Sequence, residues 1–142
     1  MYKILTNLAL SAALTTTLYA SDNLSKGLNI NLTASDTQTQ MMAMVLATKT
    51  LEQNKEVRIV LCAAAGDLAL KDSKSELQKP LNKSPKDLLL GAIKSGAAVK
   101  VCPLYLPNKG LDKSALVDGV DVAVPAEVAK ALLDKDYKNL SY

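Results

Sequence analysis

Histidine, phenylalanine and tryptophan are all absent from this 142-residue chain, and cysteine occurs twice. Without histidine, neither a Ser-His-Asp triad nor a Cys-His pair can be assembled from one chain. Two cysteines distant in sequence, Cys62 and Cys102, supply too few soft ligands for a zinc site of the Cys/His kind. The six glycines are scattered, so no glycine-rich phosphate loop can be traced. With 17 basic against 14 acidic side chains the charge is nearly balanced. No basic stripe interleaved with aromatics appears, which argues against a nucleic-acid partner. Any core must therefore be built from Leu, Val, Ile, Ala and Met.

Long apolar runs are also scarce beyond the first 20 residues, MYKILTNLALSAALTTTLYA. These have the plan of a secretory signal: Lys3 gives a basic start, residues 4–18 carry no charge, and Ala20 precedes an expected cut at Ser21. Leu18 is larger than the ideal residue three places before such a cut, which leaves the cleavage point open. The uncharged stretch is short against the ~20 apolar residues of a spanning helix, so removal is expected over a retained anchor. The expectation is a periplasmic protein in which residues 21–142 form a single domain with no membrane attachment.

Along that domain, strand and helix patterns alternate. Residues 28–32 (LNINL) alternate apolar and polar as a strand does. A capping box at Ser35 and Gln38 leads into a helix over 40–52, with Met41, Met44, Val45, Thr48 and Leu51 on one face. Residues 57–62 (VRIVLC) are rich in β-branched side chains and read as a buried strand. Residues 71–83 read as a charged loop. Ser84 then caps a helix with Pro85 and Asp87 in its first turn and Gly96 at its end. Residues 98–102 form a third strand, 112–117 a short helix and 120–124 a fourth strand. A last helix over 125–133 precedes a possible edge strand at 137–142. Strands repeatedly separated by helices predict an α/β fold, a mostly parallel sheet of about five strands covered on both faces.

In open α/β sheets, ligands collect beyond the carboxyl ends of the strands, and Cys102 stands at such an end. Pro103 favours an extended Cys102, and a proline at a first helical position would make Cys102 the N-cap of a single turn running to Leu106. A thiol facing unpaired amides, with Lys109 near, would be shifted towards thiolate. A buried structural role and a disulfide with Cys62 are the competing readings. Cys62 itself reads first as a small apolar core residue. An oxidising compartment would permit the disulfide, but sequence does not supply the required Cα separation.

The run GAAVKVCPLYLPNKGLDKSALVDGVDV resembles the DsrE/DsrF-like family of sulfur-relay proteins. Gly96, the strand at 99–101, Cys102, the Lys109-Gly110 turn and Gly119-Val120 follow the family's order and spacing. LNINLTASD and IVLCAAAGDLAL resemble its first and second strands more weakly. Lys109 stands where the family commonly has arginine. The resemblance implies a three-layer α/β/α fold and a cysteine, here Cys102, that accepts sulfane sulfur as a persulfide and passes it on. It also implies a homo-oligomer, trimer or hexamer, and small sulfur species or partner-protein thiols as the other reactants. The chemistry requires neither metal nor organic cofactor. A non-catalytic assembly subunit using the apolar PLYL segment, and a thiol redox protein using both cysteines, are the alternatives.

Three further features complete the reading. Asp67 and Asn108, with Lys109, are the candidate substrate-binding side chains, although Asp67 and Asn108 both also suit turns. Met41 and Met44 share a face with Val45, so packing explains them better than copper(I) ligation. The Asn31-Leu32-Thr33 glycosylation triplet falls within a strand and is discounted.

Overall fold

The structure, a computed structural model, describes residues 24–142; the signal-like segment 1–20 lies outside them. The alternation of apolar and polar residues in each strand gives a five-stranded sheet with two unlike faces. Strands β1 (Gly27–Leu32), β2 (Glu56–Leu61), β3 (Ala98–Val101), β4 (Val120–Val122) and β5 (Tyr137–Ser141) are all parallel, in the order β4-β3-β2-β1-β5. The register aligns Ile30, Ile59, Val99 and Val120 in one row and Leu32, Leu61, Val101 and Val122 in another. A period of two puts both rows on the same face.

Helices α1 (Thr37–Glu52) and α2 (Pro85–Lys94) cover that face, contributing Met44, Ala47, Leu89 and Ala92 to the core. Met41 and Met44 are buried there as packing residues. In α2 the Ser84 side chain accepts from the Asp87 amide while the Asp87 carboxylate accepts from Ser84 N, a complete capping box. Gly96, at φ 96°, follows the end of the helix in a conformation that side chains disfavour. The N-cap of α1 is Asp36, which accepts from Thr39 N at 2.8 Å, and not the expected Ser35. A carboxylate at the helix start accepts the amide bond and complements the dipole as well. The expected helix at 112–117 reduces to a 3-10 turn, Lys113–Ala115, capped by Asp112.

The other face is thinly covered. Asn29, Asn31, Arg58 and Lys100 alternate onto it, and among the described residues only α4 (Pro125–Leu132) lies over them, with none of its residues fully buried. Polar clamps hold α4 alongside a half-buried apolar seam of Val60, Val128, Ala131 and Leu132. Asn29 Nδ2 donates to Ala131 O at 2.7 Å and to Asn139 Oδ1 at 2.9 Å, Asn139 Nδ2 donates to Leu132 O, and Lys100 pairs with Glu127. Asn29 is 4% exposed, so these bonds are made where water does not compete. Replacing Asn29 by Ala is expected to lower the unfolding free energy by about 1–2 kcal/mol, two net hydrogen bonds. A urea titration checks this; an unchanged midpoint would show that α4 is held otherwise. Among the described residues, no helix is long and apolar enough to cross a membrane.

Candidate functional site at the carboxyl edge of the sheet

Because β2 and β3 are neighbours, their final paired residues are Leu61 and Val101, and the next residue of each strand is a cysteine. Cys102 N donates to Leu61 O and Cys62 N donates to Leu32 O, both at 2.9 Å, so the ladder holds the two backbones to the point where the chains leave the sheet. Both thiols are free and half-buried. Cys62 is therefore not the core residue expected from the sequence. It lies beside Cys102 and is hydrogen-bonded to it. Burial, that hydrogen bond and the nearby Cys102 charge push the Cys62 thiol up to about 11.

Beyond the cysteines the chain diverges. After β2, Ala63 takes a left-handed φ of 48°, uncommon for a residue with a Cβ, and starts the 3-10 segment Ala63–Ala69. After β3, Pro103 and Leu104 form a turn before α3 (Tyr105–Lys109). Leu104, not Cys102, is the N-cap, and Gly110 ends the helix at φ 65°. Two turn residues precede the helix, so Cys102 is offset from its amino end. Pro103 has no N–H, and Tyr105 N donates to the Cys102 carbonyl oxygen at 2.9 Å. Those two positions thus do not supply the amide cradle expected for the sulfur.

The two segments enclose an open cavity of about 420 Å³, lined among others by Cys102, Asp67, Tyr105, Asn108 and Lys109. Cys102, Asp67, Asn108 and Lys109, the candidate catalytic and substrate-binding residues read from the sequence, meet here. The Asp67 carboxylate accepts from the Tyr105 hydroxyl and pairs with Lys109 Nζ at 2.9 Å. Burial opposes ionisation of Asp67, but the Tyr105 hydroxyl and the Lys109 ammonium outweigh it and hold the carboxyl below its ordinary range. Burial and the same carboxylate push the Tyr105 phenol up, so it stays a donor. Lys109 Nζ also stands 5.7 Å from the centre of the Tyr105 ring. The lysine is thus committed to Asp67 and Tyr105, with its side chain still half in solvent at the cavity mouth. Asn108, taken as part of a turn, is helical, and its Nδ2 donates to Leu104 O at 2.7 Å.

Tyr105 was missed by sequence reasoning, although a phenol three residues after a strand-end cysteine in an aromatic-poor chain was a signal. The PLYL segment does not act as one apolar surface. Leu104 is 67% exposed, whereas Tyr105 and Leu106 are buried. Among the described residues, no group of three or more His, Cys, Asp or Glu is placed to hold a metal ion. A second cavity, about 230 Å³ beneath α4, is lined by Asn29, Arg58 and Lys100 and shares no residue with the cysteine site.

No protein-family model matches the sequence, and neither does any curated protein. Solved structures do match the fold. The ychN protein from E. coli superposes with a TM-score of 0.65 at 22% identity, covering 84% of this chain and 100% of its own. A protein of unknown function, MTH1491 from Methanobacterium thermoautotrophicum, gives 0.61 at 12% identity, covering 82% and 98%. These likenesses are of the fold alone, an α/β fold built on a five-stranded parallel sheet.

Proposed function

We propose that this protein takes up sulfane sulfur on Cys102 as a persulfide and passes it to an acceptor thiol. The observation that carries the reading is Cys102 itself: half-buried, free, at the carboxyl end of β3, and opening into a cavity that also holds a lysine ammonium. A DsrE-like fold is consistent with such a role. The Cys102 thiolate attacks the outer sulfur of a polysulfide or donor persulfide. A new S–S bond forms, the donor's S–S bond breaks, and the donor leaves as a thiolate or shortened polysulfide. An acceptor thiolate then attacks the terminal sulfur and frees Cys102. Lys109, with Asn108 on the same helix, lines the route of the anionic sulfur, and Asp67 with Tyr105 orients the ammonium. Neither step calls for a metal or organic cofactor.

Brief exposure of the protein to polysulfide, followed by intact mass measurement, should add one sulfur atom. The addition should disappear in Cys102→Ala. A Cys102 that alkylates readily yet never gains sulfur would end the proposal.

Export and self-association belong to the same proposal. Export follows from the signal-like residues 1–20. Association into a trimer or hexamer follows from the family resemblance and is supported by the thin cover of α4 and by Leu133 at 85% exposure. Light scattering on the protein without residues 1–20 decides the second point: a monomer at micromolar concentration would refute it.

A further inference from the structure

The Cys62–Cys102 juxtaposition reaches beyond carrying sulfur. Residues paired across neighbouring strands have backbones about 4.7–4.9 Å apart, inside the ~4.4–6.8 Å Cα range a disulfide spans. Cys62 and Cys102 directly follow the last pair of the β2–β3 ladder, and their amides are still held by ladder bonds. Both side chains leave the same sheet edge, and both are reachable from solvent. A cysteine placed so would be surplus to a carrier that uses one thiol.

We infer that Cys62 is a resolving thiol, which attacks the inner sulfur of the Cys102 persulfide, closes a Cys62–Cys102 disulfide and releases hydrosulfide. The inference rests on the persulfide reading of Cys102. In the step, the Cys62 proton passes to solvent or to the departing sulfur, the Sγ–Sγ bond forms, and the Cys102 Sγ–S bond breaks. The sulfane sulfur gains two electrons and leaves as HS⁻, while the two cysteine thiols lose two electrons. No outside oxidant is required for this turnover. A second one needs an external dithiol to reopen the disulfide, so the chain would act as a sulfane-sulfur reductase half-reaction. The high proton affinity of the Cys62 thiol sets its pace. Resolution therefore accelerates as the solution becomes alkaline.

The test uses reduced protein, exposed briefly to polysulfide, desalted, and followed by intact mass and a sulfide assay without reductant. In the wild type, the one-sulfur adduct should convert to a species two hydrogens lighter than the reduced chain, with one equivalent of sulfide released. In Cys62→Ser the adduct should persist at least about tenfold longer, since attack within one molecule is lost. A wild-type adduct as durable as that of Cys62→Ser, or sulfide released with no disulfide formed, overturns the inference while leaving the carrier reading intact. An adduct seen only in Cys62→Ser means that resolution in the wild type is fast, and it supports both readings. If neither protein ever gains sulfur, both fall together.

Discussion

Alkylation of Cys62 should rise about tenfold for each pH unit between about pH 8 and pH 10, because only the thiolate reacts and its fraction grows that way below the pKa. The Cys62 value of about 11 leaves roughly one thiol in a thousand ionised near pH 8. Burial is the largest cause, with the hydrogen bond to Cys102 and that residue's charge adding to it. In Cys102→Ala the last two vanish and the first remains, so Cys62 should alkylate faster near pH 8 while still lagging an exposed thiol. The sign for stability follows from proton linkage. The folded chain holds the Cys62 proton more tightly than the unfolded chain, so this contribution is fully present below the ordinary thiol value. It is lost as the pH rises through about 11. Mass-resolved alkylation of both proteins across the pH range makes the measurement. A Cys62 that reacts like a free thiol near neutrality would mean that burial does not hold its proton; equal rates in the two proteins would mean that Cys102 does not contribute.

Gly66→Val should destabilise the protein by about 3 kcal/mol, at the upper end of what overpacking costs. Gly66 is buried in the 3-10 segment after β2, and a Cβ there would come within 2.8 Å of the Tyr105 Cγ and closer still to Cδ2 and Cε2. The ring has little freedom to yield. It is 6% exposed, and its hydroxyl is bonded to Asp67, which in turn holds Lys109. Relief of the clash therefore means breaking the Tyr105–Asp67 bond or tilting α3, and either change reshapes the cavity wall beside Cys102. A double-mutant cycle with Tyr105→Ala isolates the cause. The valine should cost much less when the ring is gone, because contacting residues are not additive. Equal costs in both backgrounds would show that the ring is not what excludes a side chain at Gly66.

Much of the architecture was legible because it rests on short-range rules. The alternation in LNINL and the β-branched content of VRIVLC marked strands, and the Ser84–Asp87 cap and Gly96 bounded α2 within the chain's own neighbourhood. The polar residues of those same strands carried a message that was read only in part. Asn29, Arg58 and Lys100 imply a sheet face with little cover, whereas helix–strand alternation alone implied full cover on both sides. Where two local signals competed, the outcome was missed. Pro103 suggested an N-cap at Cys102, but Pro103 and Leu104 form a turn that places the N-cap two residues beyond the thiol.

Local sequence could place Cys102 at a strand end and Asp67 in a loop, since periodicity and turn chemistry act over a few residues. It could not bring Cys62 against Cys102, or Tyr105 and Lys109 against Asp67, because those meetings depend on β2 and β3 being neighbours in register. Strand order is set by how the helices bury the apolar rows of the whole sheet, a property of the assembled core and of no single segment.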